Sequence, residues 1–388
     1  MYDSKKQTIV LILSVALAFL CIYGVKHIKV TYFSETVTTQ KPTPKPTKPI
    51  VTTTEEPTTE ETTTEKETEP YVDINMLFAG NVSLQAEAIE SIPSENVITE
   101  ELSATIKNSD FSMFNLQTAI ASNTDLDFGN TSTNYIDTSN KDYIKNLGFS
   151  GAALANNYIL ECGMGTVNST RLALDSINMF HTGMGSDLSE AKKPIITEIN
   201  GKKISIISTT RSYPDESWEA SNKNIFIDED ISGVFTCKDT DNITELILEQ
   251  KDSCDFVIVY MNCGNENTEE LDNYQQYLAH TLVDAGANLI IGCSPNMVQG
   301  IEYYNNVPII YSLGTFLTSE SDTTSALLSV IISEDNKATC TLLPCTLEDS
   351  SVATLDDEQK TDFYDRINEL SENMNAQVSD KGVISPIE

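Results

Sequence analysis

The stretch 287–316, ANLIIGCSPNMVQGIEYYNNVPIIYSLGTF, contains two apolar runs that each end in a polar turn. The run LII leads into Gly-Cys-Ser-Pro, and the run PIIYSL leads into Gly-Thr-Phe. In α/β proteins, the loops that follow such strands form the edge where ligands bind. The first turn, however, offers Cys293, Ser294 and Asn296, and neither a histidine nor a carboxylate. The pattern indicates an α/β fold whose site edge is poor in acid–base groups.

Apolar runs of the same kind recur along the chain and alternate with helical patterns. The predicted strands are 73–80, 111–116, 150–155, 203–209, 255–261, 288–292 and 308–313, followed by a pair at 326–333 and 339–344 that we expect to form a hairpin. The helical patterns are 97–108, 141–147, 166–178, 242–251 and 270–285. Because several runs are apolar without alternation, we expect strands that are covered on both faces. The alternation of strands and helices predicts an α/β domain.

The chain is strongly acidic. It has 388 residues and a formal net charge of −34, from 24 Lys and Arg against 58 Asp and Glu. A protein that binds a nucleic-acid backbone needs a basic face for its phosphate contacts. The composition therefore argues against nucleic-acid binding, and against docking on anionic lipid through charge. A solvated acidic surface is the simplest interpretation.

The N-terminal part predicts a membrane anchor. Residues 8–25, TIVLILSVALAFLCIYGV, form an uncharged apolar run that is long enough for one membrane-spanning helix. A cleaved signal peptide is the alternative, but no small-x-small cleavage pattern directly follows the run. Residues 26–70 are rich in Thr, Pro and Glu, which predicts a disordered stalk. We therefore expect residues 1–7 in the cytoplasm, a single-pass signal-anchor in the cell membrane, and the bulk of the chain outside the cytoplasm.

The rest of the chain is expected to form a domain over 71–345 and an acidic C-terminal segment over 346–388. Within that segment, the stretch 356–377 predicts a helix packed on the domain. Its apolar side chains fall at helical spacing: Phe363, Ile367, Leu370 and Met374.

Amides and thiols dominate the positions that follow the predicted strands: Asn81, Asn115, Gln117, Asn156, Asn157, Tyr158, Cys162, Asn262, Cys263, Cys293 and Asn296. General acid–base catalysis near neutral pH usually needs a histidine or a tuned carboxylate. The histidines of the predicted domain are His181 and His280. One ends an apolar stretch and the other lies inside a helical pattern, so both are interpreted as structural. No Gly-x-Ser-x-Gly turn supports a serine hydrolase.

Taken in order, these positions resemble those of the CapA family, the poly-γ-glutamate capsule biosynthesis proteins with a calcineurin-like metallophosphoesterase fold. Members typically carry Gly-Asp-Val, Asn-Leu-Glu, Ala-Asn-Asn-His…Asp-x-Gly, His-Trp-Gly-x-Glu, Gly-His-x-Pro-His and Tyr-Ser-Leu-Gly-Asn-Phe. Here the same frames read GNV, NLQ, ANNYILECG, NCGNE, GCSPN and YSLGTF. The resemblance covers roughly residues 72–345. It implies a sandwich of mixed sheets flanked by helices.

The departures from the family pattern fall on the positions that would hold one or two metals. Asn81 stands where the family has Asp, Tyr158 where it has His, and Asn262 where it has the His before Trp-Gly. Cys293 and Asn296 occupy both His positions of the Gly-His-x-Pro-His frame. Further replacements are Gln117 for Glu, Glu161 for Asp and Thr315 for Asn. The retained polar residues are Asn115, Asn156, Asn157, Glu266, Gln299 and Glu302. Because neutral amides are poor ligands for a catalytic divalent ion, we expect a divergent member with neither a metal nor another cofactor.

The cysteines leave three interpretations open. In the resembled fold, Cys162, Cys263 and Cys293 would share one edge of the sheets. They could include a disulfide, Cys263–Cys293, in an oxidising setting, or a thiolate metal site. They could also be buried free thiols that behave as small hydrophobic side chains. Cys340 and Cys345 could pair only if their strand bends at the proline before Cys345.

Two functions follow from these observations. The resemblance implies a membrane-anchored, extracytoplasmic protein of capsule, poly-γ-glutamate or other surface-polymer biosynthesis or attachment, acting as a non-catalytic binding or scaffolding component. Its partners would be the polymer or its synthesis machinery. Its ligand-binding rim would comprise Asn81, Asn115, Gln117, Asn156, Asn157, Tyr158, Asn262, Asn296 and Glu302. The alternative is a divergent hydrolase of phosphoesters or amides that uses Glu266 with Asn157. A loop carboxylate that caps the following helix would explain Glu266 equally well.

Overall fold

Two β-sheets form the centre of the fold. The computed structural model describes residues 71–387 except 86–88, 90–96, 128, 130, 131, 224–227, 319–322, 349 and 350. In chain order, the strands of this part are β1 Ile74–Ser83, β2 Phe111–Leu116, β3 Ala119–Ala121, β4 Tyr135–Asp137, β5 Gly151–Ala153, β6 Phe180–Thr182, β7 Met184–Gly185, β8 Ile195–Ile199, β9 Lys202–Thr210, β10 Gly233–Val234, β11 Phe256–Asn262, β12 Leu289–Cys293, β13 Ile301–Tyr304, β14 Val307–Ile310, β15 Thr315–Thr318, β16 Thr323–Ile332, β17 Ala338–Glu348, β18 Ser351–Thr354, β19 Ala376–Val378 and β20 Ile384–Pro386.

Both large sheets mix parallel and antiparallel pairs. The larger sheet has eight strands in the order β18-β17-β16-β1-β2-β5-β6, and β15 also pairs with β1. Strands β1, β2, β5 and β6 are parallel, whereas β16 and β17 form the predicted antiparallel hairpin beside β1. The second sheet has six strands in the order β13-β14-β12-β11-β9-β8. Its four inner strands are parallel, and both edge strands are antiparallel to their neighbours.

Helices cover the outer faces of the sheets. The α-helices of the described residues are α1 Glu100–Lys107, α2 Asp142–Asn146, α3 Thr166–Ser176, α4 Leu188–Ala191, α5 Thr240–Ser253, α6 Asn273–Ala285 and α7 Asp357–Leu370. Helices α1 to α3 pack on the larger sheet, and α5 and α6 pack on the second sheet. Short 3₁₀ turns lie at Thr138–Asn140 and Glu216–Trp218.

A shared core lies between the two sheets. Met76 and Met113 of the larger sheet belong to the same buried cluster as Ile258 and Leu289 of the second sheet. Alternate residues of β11, such as Val259, point the other way and pack beneath α5 and α6. Strands that are buried on both faces produce the unbroken apolar runs of the sequence. The result is a four-layer sandwich, which confirms the prediction of mixed sheets flanked by helices.

The C-terminal segment also joins this core. Phe363 and Ile367 of α7 are buried in the inter-sheet cluster, and Leu370 packs against it. Met374 lies beyond the end of α7, so the helix is shorter than the stretch 356–377 that the sequence predicts. The chain then forms the hairpin β19–β20.

Among the described residues, no helix combines the length and apolarity that a membrane crossing requires. The predicted anchor at 8–25 and the predicted stalk at 26–70 lie outside the described residues.

Candidate functional site

The parallel strands of both sheets end at one edge of the sandwich, and asparagines cluster there. Asn115 lies in β2, Asn81 lies near the end of β1, and Asn262 ends β11. Gly80 lets another loop approach this edge, because a Cβ atom there would lie 2.0 Å from the Gly314 carbonyl oxygen. Asn81 N donates to the same oxygen at 3.0 Å. The close packing brings polar side chains of several loops into one rim.

Five asparagines form a directional hydrogen-bond chain along this rim. Asn156 Nδ2 donates to Asn115 Oδ1 at 3.1 Å, and Asn115 Nδ2 donates to Asn81 Oδ1 at 2.9 Å. Asn81 Nδ2 donates to Asn296 Oδ1 at 3.4 Å, and Asn296 Nδ2 donates to Asn267 Oδ1 at 3.1 Å. We call these five residues the asparagine ladder. Every amide oxygen between its ends already accepts a hydrogen bond from a neighbouring amide N–H, and such chains strengthen cooperatively in a buried setting.

A second amide pair lies beside the ladder. Asn262 Nδ2 donates to Asn157 Oδ1 at 3.2 Å and to Thr210 Oγ1 at 3.0 Å. Asn157 Nδ2 in turn donates to Glu266 Oε1 at 2.5 Å. Asn262 is fully buried, and its Oδ1 atom has no hydrogen-bond partner among the described residues. This oxygen is an acceptor that this part of the chain leaves unused.

Tyr158 and Glu266 are the titratable groups nearest to these amides. Burial, followed by a hydrogen bond to Glu266, raises the pKa of the Tyr158 hydroxyl. The phenol therefore stays protonated and acts as a hydrogen-bond donor. Glu266 itself is exposed to solvent. The pair can bind a polar ligand, but an exposed carboxylate lacks the burial by which enzymes tune a general acid.

The turn in GCSPN holds an unusual backbone conformation. Ser294 is buried and has φ of 120°, a region that residues with a side chain rarely adopt. Neighbouring contacts hold it: Ser294 Oγ donates to the Gly264 carbonyl at 3.4 Å, and Ser312 Oγ donates to the Pro295 carbonyl at 3.0 Å. Strain of this kind persists where the surroundings overdetermine it. Here it places Asn296 in the ladder.

A cavity of about 510 Å³ opens between the ladder and the loop that contains Asn134. Its polar lining includes Gln117, Tyr158, Glu161 and Asn296. Gln117 is only 2% exposed, yet its Nε2 atom has no hydrogen-bond partner in the part of the chain that the structure describes. An unpaired buried donor is uncommon in proteins, because it costs the desolvation energy of the group. The cavity therefore has an unused donor at its wall.

Arg211 is a rim residue that the sequence analysis missed. It directly follows β9, and its N–H donates to the Asn262 carbonyl at 2.9 Å. Its guanidinium carbon lies 5.0 Å from the centre of the Tyr274 ring. The available signal was its position immediately after the strand predicted at 203–209. Asn134 and Asn267 were missed as well, because Asn134 lies in a loop that follows no predicted strand directly and Asn267 lies five residues beyond the end of β11.

Glu302 does not lie on the rim, and its predicted place there is corrected. It occupies β13, where Ile301 faces the inter-sheet core and Glu302 points to the opposite face, beneath α6. There it accepts hydrogen bonds from Tyr311 Oη and from Gln276 Nε2 at 3.2 Å, and its Oε1 lies 2.9 Å from His280 Nε2. The other histidine, His181, lies 3.1 Å from Asp175 Oδ1. Both histidines thus belong to structural polar pairs away from the ladder.

Of the three interpretations of the cysteines, the disulfide between Cys263 and Cys293 is not formed. Both thiols are free and buried. Asn262 pairs with Cys293 across β11 and β12, so Cys293 faces the inter-sheet core whereas Cys263 faces the helices. Cys340 and Cys345 likewise pack into different clusters along a continuous β17. Opposite orientations prevent these pairs from meeting the geometry of a disulfide, which favours the interpretation of buried free thiols.

The donors at the rim do not fit a catalytic divalent metal. Three of the positions that the resemblance assigns to ligands hold the amides Asn81, Asn262 and Asn296, and the ladder uses the oxygens of Asn81 and Asn296 as hydrogen-bond acceptors. Burial also raises the pKa of Cys293, so its thiol stays protonated and is a poor ligand. Within the described parts of the chain, no three His, Cys, Asp or Glu side chains come close enough together to hold a metal ion.

Comparison with known proteins agrees with this fold. The family model described as "Bacterial capsule synthesis protein PGA_cap" matches residues 75–320. The chain is 28% identical over 214 residues to the "PGA biosynthesis protein CapA" of Bacillus subtilis, which covers 54% of each chain. It is 24% identical over 223 residues to the "Capsule biosynthesis protein CapA" of Bacillus anthracis, covering 54% of this chain and 50% of that protein. This chain thus spans about half the length of these relatives. A solved structure described as a novel phosphatase of Mycoplasma pneumoniae aligns with a TM-score of 0.44 at 12% identity, over 71% of this chain and 95% of that one.

The class that the fold defines is a four-layer α/β sandwich with a polar rim at the ends of its parallel strands. The family model covers well over half of the chain. The protein therefore belongs to the bacterial capsule synthesis protein family PGA_cap, the CapA family. Its rim carries the amides Asn81, Asn262 and Asn296 at the end of the parallel strands.

Proposed function

We propose that this protein is a non-catalytic binding component in the biosynthesis or attachment of a cell-surface polymer. The relatives in Bacillus are named for poly-γ-glutamate and capsule biosynthesis, which supports a role in that kind of process. The observation that carries the proposal is the asparagine ladder. Its amides provide neutral hydrogen bonds and bind one another, so the rim suits recognition of a ligand better than activation of water.

The chain is proposed to act at the cell membrane, with its bulk outside the cytoplasm. The apolar run at 8–25 and the Thr/Pro/Glu-rich segment at 26–70 support this location. The partners are the polymer or the machinery that makes it, and no nucleic acid. The net charge of −34 makes a direct grip on a polyanion unfavourable without a bridging cation. Contact with neutral parts of the polymer or with partner proteins is easier.

Hydrolysis is the competing function, and Glu266 is the residue that would carry it. Glu266 accepts from Asn157 at 2.5 Å and contacts the Tyr158 hydroxyl. Its exposure and the neutral amides around it favour binding instead. We propose accordingly that the rim holds no metal cofactor.

The test combines metal analysis with turnover measurements on the purified full-length chain. Mass spectrometry of protein prepared without chelator is expected to find only background manganese, iron and zinc. After incubation with each metal, p-nitrophenyl phosphate and bis-p-nitrophenyl phosphate should be hydrolysed no faster than in buffer. Near-stoichiometric metal would contradict the proposal. So would a hydrolysis rate that is lost in Glu266→Gln but kept in Glu270→Gln, an exposed carboxylate of the same loop.

A further inference from the structure

The cavity beside the ladder continues into a second cavity beneath α7. The first has a volume of about 510 Å³ and the second of about 630 Å³. Asn267, Asn296 and Thr323 line both, so the two form one groove that runs from the rim to the C-terminal helix. Sites for single small molecules are usually one compact pocket. A groove made of two joined cavities suits an extended chain.

The rim end of the groove is built for hydrogen bonding without net positive charge. Its lining consists of amide, hydroxyl and phenol side chains, with Glu161 as the one charged group among the described residues that form it. Asn134 Nδ2 donates to Glu161 Oε2 at 3.1 Å, and this hydrogen bond holds the carboxylate in place at the cavity wall. Amide side chains both donate and accept, and sugar hydroxyls do the same. The described residues that line this cavity include no Lys or Arg to attract an anionic chain.

Gln117 supplies the feature that points to a ligand. Its side chain is almost fully buried at the wall of the rim cavity, and its Nε2 donor has no acceptor among the described residues. A ligand hydroxyl or carbonyl oxygen in the cavity would satisfy it. A site that keeps a buried donor for a ligand rejects molecules that lack the acceptor.

The far end of the groove is apolar with acidic margins. Met297, Val298, Phe363 and Ile367 form its apolar wall. Arg366 is the cation of this cavity, and its guanidinium already binds two carboxylates, Glu269 and Glu369 (the latter at 2.8 Å). The groove therefore offers an anionic chain no uncommitted cation in its described lining. Sugar rings, in contrast, present C–H faces that pack on apolar side chains while their hydroxyls stay in water.

We propose that this groove binds a neutral oligosaccharide segment, with one end in the rim cavity at Gln117 and further units along α7. The inference deepens the proposed function, since it names the chemical class of the polymer that the protein would hold. A peptide is the less suitable occupant, because extended peptides are usually held by main-chain bonds to a free strand edge. Here side-chain amides and hydroxyls form the polar wall.

Isothermal titration calorimetry of the full-length chain tests this assignment with defined probes. The neutral probes are chitotetraose and maltotetraose, and the anionic comparator is tetraglutamate. We expect saturable binding of at least one tetrasaccharide and none of tetraglutamate. Gln117→Leu should weaken sugar binding about tenfold, because it removes the Nε2 donor that pairs with the bound sugar. Met297→Ala, at a side chain that is 40% exposed, should weaken sugar binding severalfold. Leu172→Ala, an exposed apolar residue outside the groove that is 67% exposed, should leave binding unchanged.

Three results would overturn the inference. These are binding of tetraglutamate in preference to both sugars, no binding of either sugar, or sugar binding that Gln117→Leu and Met297→Ala leave unaffected. Circular dichroism checks that Gln117→Leu is folded. Met297→Ala provides a second measurement of sugar binding, at an exposed position. Failure of sugar binding leaves the proposed function standing, because that function is contradicted only by metal content and turnover.

Discussion

Asn156 is the residue on which the ladder depends most. Its Nδ2 donates to Asn115 Oδ1 and to the Leu116 carbonyl, the latter at 2.7 Å. Its Oδ1 accepts from the N–H groups of Tyr158 and Ile159 at 3.1 and 3.0 Å. Four bonds from one buried side chain tie β2 to the loop after β5.

Replacing this side chain should be costly. We predict that Asn156→Ala lowers the free energy of unfolding by about 3 kcal/mol, because several buried polar groups lose their partners together. Urea denaturation of the full-length chain measures the change. Asn222→Ala, at an exposed asparagine, should cost no more than about 0.5 kcal/mol. Equal losses in the two variants would show that the ladder is not a structural unit.

At the same scale, the sequence predicts which residues reach the rim when each lies at the end of a parallel strand or directly follows it. Asn81, Asn115 and Asn262 fall there by that rule. Glu302 shows where the rule fails. In a strand of four residues without polar alternation, a shift of one position moves a side chain to the other face of the sheet, and sequence gives no sign of which parity holds. The unpaired donor of Gln117 depends on distant loops and is equally invisible in sequence.

Among the elements, α7 has the clearest sequence-encoded start. Asp356 Oδ1 accepts from Gln359 N at 2.9 Å, and Gln359 Oε1 accepts from Asp356 N at 3.0 Å, which forms a capping box. We predict that Asp356→Ala lowers the free energy of unfolding by about 1 kcal/mol. Thermal or urea denaturation measures it. Asp356→Asn should recover most of the loss, and Asp357→Ala, at a fully exposed neighbour, should stay within about 0.5 kcal/mol. A loss from Asp357→Ala as large as that from Asp356→Ala would count against the cap.

The long central strands were predictable, whereas the short peripheral ones were not. The run 111–116 coincides with β2, and 255–261 differs from β11 by one residue at each end. Both are apolar because both faces are buried. Strands such as β3, β6 and β15 have three or four residues, too few to display a period. Pairing with distant strands determines where these short strands form, so the parts of the fold that frame the cavity cannot be predicted from the sequence.

The buried thiols give the whole molecule a pH dependence. Burial raises the pKa of four of them to about 12: Cys237, Cys263, Cys340 and Cys345. In the unfolded chain the pKa of a thiol is about 8.5. Between about pH 9 and pH 12, the unfolded state therefore binds fewer protons than the folded state, and stability falls as pH rises. Below this window the contribution of the thiols is fully present.

We predict a loss of roughly 1 kcal/mol per pH unit for each buried thiol in this range. Urea midpoints under reducing conditions at pH 7.5 and pH 10 measure it. Cys340→Val should reduce the pH dependence of the unfolding free energy by the contribution of one thiol. Cys254→Ser, at the half-exposed cysteine, should change this pH dependence little. An unchanged slope in Cys340→Val would argue against thiol ionisation as the cause.

The direction of the asparagine ladder limits which substitutions the rim tolerates. Each amide donates to the next, so Asn81 cannot become a carboxylate without setting two oxygens against each other at Asn296. The same holds for Asn115, whose Nδ2 donates to Asn81 and whose Oδ1 accepts from Asn156. Changing these amides to carboxylates would require several substitutions at once, and each single step would first lose stability. The fold itself therefore opposes a stepwise change of this rim from neutral to acidic side chains.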